Sequence, residues 1–236
     1  MATIKGLHAF LIKEQFRKAM EARGYAFFGL ESKAAYNINI IGVRSDEDIF
    51  NKFDDALVVI YRDTKQNWEV RSYSITTDPG KIWLEKPMNS KGTAILVPNQ
   101  YRGVYKIDGH GQTKYEALCQ RGGEVEVYRD SDRDDELDRD AGTITKGWYG
   151  INIHRSRSTG ESELVNSYSA GCQVFKNASD FKDFMKLVNK SADKFGNSFT
   201  YTLLNEGDLS VALEISSSKI HQLIHTSLCR HSERRF

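Results

Sequence analysis

The stretch Trp148-Tyr149-Gly150-Ile151-Asn152-Ile153-His154, followed after a polar gap by Ser169-Ala170-Gly171-Cys172-Gln173-Val174-Phe175, decides the reading of this chain. A histidine ends an apolar, strand-like run, and a cysteine follows 18 positions later, directly after a glycine. A free thiol is mostly protonated at neutral pH, and a neighbouring imidazole that takes its proton turns it into a nucleophile. Gly171 lets the backbone turn tightly, so that N–H groups around Cys172 can converge on a developing oxyanion. Taken singly, a cysteine beside a glycine is commonly a small buried hydrophobe, and a strand histidine a hydrogen-bonded core residue. Order, spacing and the preceding strand together point instead to chemistry at Cys172 and His154.

Working outward, the pattern from Ala56 onward is one of short strands separated by turn residues: 56–62, 68–76, 93–97, 103–108, 115–120, 124–129 and 148–154. Strands this short and this closely spaced predict a mainly β (α+β) fold, an antiparallel sandwich or barrel-like sheet. Trp68 and Val70 fall on one face of their strand and Tyr73 and Ile75 on the other, which predicts a bulge near Ser72. Ahead of the strands, Ile12, Phe16, Ala19 and Met20 mark an amphipathic helix over 9–23 with Gly24 as its C-cap. Tyr25-Ala26-Phe27-Phe28 reads as a short strand. Ser45, followed by Asp46, Glu47 and Asp48, predicts a second helix with Ile49, Phe50 and Phe53 inward. Beyond the cysteine, Ser179 predicts a helix running to about Phe195 with Phe181, Phe184, Leu187 and Val188 inward and Gly196 past its end. A strand at 199–204 follows, and Leu209, Val211, Leu213 and Ile215 alternate as one more would. The expected organisation is an N-terminal helical segment over 1–54 packed on the core, a catalytic domain over 55–204 and a C-terminal segment over 205–236.

The 148–175 stretch resembles the active-site signature of the L,D-transpeptidase family, whose enzymes cut and rejoin the peptide stems of bacterial cell wall. His154 after its strand, and Ser169, Gly171 and Cys172 after the gap, fall in register with that family's pattern. The resemblance implies an L,D-transpeptidase-like antiparallel β-sandwich in which His154 deprotonates Cys172. The thiolate then attacks a stem-peptide carbonyl, and an acyl-thioester passes to water or an amine. Ala170 stands where the family usually has a second histidine, and Gln173 begins a run where it commonly carries an arginine and an asparagine that hold substrate. The expected substrate-binding residues are Trp148, Tyr149, Gln173, and Arg155 or Arg157 in place of the missing arginine. Hydrolysis of the phage-lysis type is slightly favoured, with cross-linking as one alternative and an inactive binding or scaffold module of the same fold as the other.

Net charge is +1, so nothing suggests a nucleic-acid polyanion binder or a strongly basic wall-adhering patch, and no apolar run approaches the length of a membrane span. The N-terminus has no basic segment followed by an apolar core, so the chain is expected to stay in the cytoplasm as synthesised and to act on the wall after release or delivery. Cys119, Cys172 and Cys229 form no CxxC pair and no zinc spacing, so three free thiols are expected, with Cys119 as packing. Seven acidic residues in 130–140 open like a calcium loop. Asp135 and Ala141 occupy the positions where that motif needs glycine and glutamate, so no metal and no cofactor are expected. Trp83 and Tyr101 are further aromatic candidates for a groove, and His110, between two glycines, reads as a surface residue.

Overall fold

The computed structural model describes residues 4–31, 34–47 and 49–210, with side chains from His8 onward. The first element is α1, Ile4–Ala22. It stops where the sequence places its cap. Gly24 takes a left-handed φ of 72°, its N–H donates to the Glu21 carbonyl at 2.9 Å, and Tyr25 N–H closes back on Met20 at 2.8 Å. The expected strand at 25–28 does not form, because side chains take the place of a partner strand. The Gln100 carboxamide bonds both backbone groups of Ala26, and the Asn39 carboxamide bonds both of Phe28.

Eight strands close into a barrel: β1 (Asn39–Arg44), β2 (Asp55–Arg62), β3 (Trp68–Thr76), β5 (Gln100–His110), β6 (Tyr115–Gln120), β9 (Ile153–Arg155), β10 (Gln173–Phe175) and β11 (Phe199–Asn205). The order around the barrel is β1-β11-β5-β6-β9-β10-β3-β2. β1 with β11 and β9 with β10 run parallel; the remaining neighbours run antiparallel. β4 (Thr93–Leu96), β7 (Val125–Asp130) and β8 (Thr145–Gly147) make a separate three-stranded sheet. The fold is mainly β as expected, and of the sandwich and barrel-like alternatives that the strand pattern left open the sheet takes the second and closes on itself, where the resemblance implied a sandwich. β1, within the stretch 1–54 expected to be helical, is one of the barrel strands.

The interior holds Ile40, Leu57, Val59, Tyr73, Ile75, Tyr105, Leu118, Ile153, Phe175, Tyr201 and Leu203. The long helix α3 (Ala178–Phe195) lays Phe181, Phe184, Leu187 and Val188 against this cluster, and its N-cap is Asn177, whose side chain accepts the Ser179 N–H. A smaller core lies between α1 and the barrel's outer face, with Phe16, Ala19 and Met20 against Ile41, Val43, Val58 and Ile60. Each such fully buried side chain contributes on the order of 1.5–3 kcal/mol. Trp68 and Val70 pack against this outer core while Tyr73 and Ile75 enter the barrel. Both faces of β3 are thus covered, and its pairing with β2 runs without a register shift from Asp55↔Ile75 to Arg62↔Trp68, so there is no bulge at Ser72.

No helix starts at Ser45. Its hydroxyl accepts the Glu47 N–H in a local turn, its own N–H goes to Asp55 Oδ1, and Asp54 takes the Ile49 N–H. These carboxylates capture N–H groups that a helix would use, and Ile49 is left exposed. A short helix, α2 (Lys81–Glu85), which the sequence reading did not anticipate, follows the Asp78-Pro79-Gly80 turn. Of the expected 209–215 strand, Leu209 lies in a helical stretch at 206–210, and Val211, Leu213, Ile215 and Cys229 lie outside the described residues. No helix among the described residues is long and apolar enough to cross a membrane.

Inside the barrel the Tyr201 hydroxyl donates to Gln173 Oε1 at 2.7 Å, and Gly42 makes room for that ring: a Cβ at Gly42 would overlap the Tyr201 hydroxyl. Gly42→Ala should therefore destabilise the protein by about 2 kcal/mol or more, as overpacking in a filled core does. Chemical denaturation of the two proteins checks this; a loss below a few tenths of a kcal/mol would show that the ring is free to move.

The Cys172 cleft

β9 and β10 pair in parallel with Gln173 opposite Ile153 and Val174 opposite His154. Side chains alternate along a strand, so Cys172 and His154 point to the same, outer face while Ile153, Gln173 and Phe175 point inward. Cys172 falls beside Asn152, and His154 lies diagonally beyond it. The turn before Cys172 admits only glycine at 171: φ is 115°, and a Cβ would overlap the Ala94 carbonyl oxygen of β4. Ser169 is fully buried, accepts the Gly171 N–H at 3.1 Å and donates to the Cys172 carbonyl at 2.8 Å. It shapes the turn. The Gly171 N–H is thereby occupied, whereas the Cys172 N–H meets no acceptor among the described residues.

The thiol opens on a cleft of about 420 Å³ lined by Trp148, Tyr149, Gly150, Ile151, Asn152 and Ala170, by Met88, Asn89, Gly92, Thr93 and Ala94 on the far wall, and by His110 and Arg129. Segment 148–152, expected as strand, has no strand partner. The Gln120 carboxamide holds it instead, its oxygen accepting the N–H groups of Tyr149 (3.2 Å) and Ile151 (3.1 Å). Asn152 connects the rest of the site. Its N–H donates to Cys172 Sγ at 3.4 Å, its side-chain oxygen accepts the Gln120 N–H, and its side-chain nitrogen meets His110 Nδ1 at 3.2 Å. His110 is half-buried and stacks on His154 with ring centroids 4.2 Å apart. The glycines around His110 hid this placement, since a turn residue is ordinarily solvated; β5 runs on to His110 and carries it to the cleft.

The two imidazoles differ in which nitrogen is bare. Because the Asn152 oxygen is fixed by Gln120, its amide nitrogen is the donor and His110 Nδ1 accepts, which assigns the His110 proton to Nε2. His154 Nδ1 faces the Arg155 carbonyl at 2.9 Å and so carries the proton, leaving Nε2 as the acceptor. Burial, and secondarily His110, push the His154 imidazole down to about 3. Burial also lowers His110, with Arg121 and Lys114 adding to it. The Cys172 thiol is pushed up to about 11 by burial, against an opposing pull from the Asn152 N–H. No hydrogen bond joins Cys172 to His154: Sγ donates to the Gly150 carbonyl at 3.5 Å. The resting groups are a neutral thiol and neutral imidazoles; His110 lines the cleft with Cys172, whereas His154 does not line it and lies behind His110 in the stack.

The other expected site residues divide. Trp148 and Tyr149 line the cleft. Gln173 does not: it is fully buried inside the barrel, bonded to Tyr201 and to the Thr77 carbonyl. Arg155 stacks over Tyr115 at 4.1 Å and lines a separate groove beside α3, and Arg157 reaches the Glu161 carbonyl. Trp83 turns to the Ser167 carbonyl, Tyr101 is buried with its hydroxyl on the Val97 carbonyl, and Cys119 is buried at the core. Among the described residues no three His, Cys, Asp or Glu side chains are placed to hold a metal ion. Compared with models of known protein families, with curated proteins and with solved structures, this chain matches none.

The buried His154 makes a checkable pH dependence. Its imidazole takes a proton near the ordinary 6.5 in the unfolded chain but only near 3 in the folded one. The unfolded chain thus binds the extra proton in that window, and stability falls as the pH drops through it, by roughly 1.4 kcal/mol per pH unit. His154→Gln should remove that component, so its stability curve should be flatter than the wild type's between those limits. Parallel curves in denaturant titrations would show that His154 is not held neutral.

Proposed function

We propose that this chain is a cysteine acyl-transfer enzyme of the L,D-transpeptidase kind, acting on peptide stems of the bacterial cell wall. The observation that carries the reading is a thiol opening on an aromatic-walled cleft, after a turn that only glycine fits, on the same barrel face as an imidazole with a bare Nε2. The resemblance of the 148–175 stretch supplies the substrate class.

With a thiol near 11 and an imidazole near 3, a resting thiolate–imidazolium pair is disfavoured. Proton transfer therefore accompanies attack. As Sγ bonds to the peptide carbonyl carbon, its proton passes to His154 Nε2, and the oxygen, gaining the electron pair of the C=O π bond, meets the open Cys172 N–H. Collapse of the adduct breaks the C–N bond, and the imidazolium returns its proton to the leaving amine. Water or a second amine then attacks the thioester and releases Cys172. The absence of a Cys172–His154 hydrogen bond favours one other reading, a binding module of the same fold that turns nothing over.

Mass analysis of muropeptides after incubation separates these: shortened stems mean hydrolysis, joined stems mean cross-linking, and an unchanged profile means a binding module. Cys172→Ser should lower turnover on the order of a thousandfold or more, as loss of a covalent nucleophile does, while Cys119→Ser keeps it. Near-normal turnover in Cys172→Ser would sink the mechanism.

A further inference from the structure

Arg129, on β7, is the one permanently charged side chain among the described residues lining the Cys172 cleft, and no Asp or Glu lines it. It is 8% exposed. Its Nε donates to Thr145 Oγ1 at 3.2 Å, its Nη1 to the Gly92 carbonyl at 3.2 Å, and its guanidinium lies 4.4 Å from the Tyr149 ring centroid. Every one of these partners is neutral, and no carboxylate among the described residues pairs with it. Its Nη2 carries no hydrogen bond and is not sealed from solvent. A guanidinium taken out of water without a counter-ion is costly, so an anion that reaches Nη2 gains a pairing that the free protein leaves unmade.

We propose that Arg129 binds a carboxylate of the substrate, so that the cleft selects peptides with a free carboxylate close to the bond that Cys172 attacks. This assignment rests on reading Cys172 as the nucleophile of that cleft. Two hydrogen bonds and the Tyr149 ring fix the guanidinium in place, so Nη2 meets the carboxylate preorganised, with little rotamer entropy left to lose. Arg155 and Arg157, by contrast, lie outside the cleft, so Arg129 is the cation placed to meet a ligand there.

The test compares alkylation of Cys172 by iodoacetate and by iodoacetamide, two reagents that differ in one carboxylate. Rates are read at Cys172 by peptide mass mapping, each divided by the rate with glutathione. The wild type should prefer iodoacetate about tenfold on this corrected scale, as one charge-assisted hydrogen bond allows. Arg129→Gln should abolish the preference, Arg129→Lys should keep part of it, and rising ionic strength should shrink it in the wild type. Should Arg129→Gln fail to fold, the lysine variant and the salt dependence still decide. Equal corrected rates in the wild type, or a preference that survives both Arg129→Gln and high salt, overturn the assignment. The readout needs no turnover: a preference that depends on Arg129 in a protein that processes no muropeptide would keep the carboxylate site and sink the enzyme reading.

Discussion

The Gln120 carboxamide is sealed from solvent and uses its full hydrogen-bonding capacity: its nitrogen donates to the carbonyls of Gly123 and Gly147, and its oxygen accepts from Tyr149 and Ile151. The near wall of the cleft depends on those four bonds. Residues 148–152 leave the three-stranded sheet at β8 and join the barrel at β9 with no ladder of their own, and buried backbone N–H groups left unpaired would cost about 1–3 kcal/mol each. Gln120 supplies the missing partners from a neighbouring strand. Its own N–H then goes to the Asn152 side chain, which is how a barrel strand sets the orientation of the residue that touches both Cys172 and His110.

Barrel closure decides what the cysteine can face. With β10 wedged between β9 and β3, alternation sends Gln173 and Phe175 into the interior, and Tyr201 reaches across past Gly42 to bind Gln173. A residue so placed holds the barrel together and meets no substrate. The same alternation puts Cys172 outside, where β4 of the second sheet approaches closely enough to exclude any side chain at Gly171. The cleft thus lies between the barrel and the small sheet, and its charge, Arg129, comes from the small sheet.

Behind this face sits a buried ionic group. Arg44 and Arg139 both pair with Asp78, each at 3.1 Å, and Asp55 accepts the N–H groups of Ser45 and Thr77. Burial and the nearby Asp78 push the Asp55 carboxyl up to about 7, against the pull of those hydrogen bonds and of Arg44. Through Arg139 this group anchors the acidic 130–140 segment, and through Gly80, whose N–H donates to the Ser169 carbonyl, it abuts the turn that carries Cys172. Buried ion pairs of this kind contribute little net stability, but removing one partner strands a charge.

The sequence by itself determined the features governed by neighbours along the chain. Hydrophobic spacing and a glycine with left-handed φ defined α1, the apolar stripe defined α3, and the strand pattern placed seven strands to within a few residues. Order and spacing also singled out Cys172 and His154, which in-register parallel pairing then set on one face. Tertiary structure decided whatever needed a partner from far away. Side-chain amides replaced the strand at 25–28 and the strand at 148–152, and carboxylates at 54 and 55 unmade the helix at Ser45. Gln173 was hidden by barrel closure, while His110 and Arg129 joined the cleft from β5 and β7, more than 40 residues from Cys172 in the sequence. Local periodicity specifies an element and the face it buries. It does not specify which distant polar groups will satisfy that element's backbone, and those groups are what built this site.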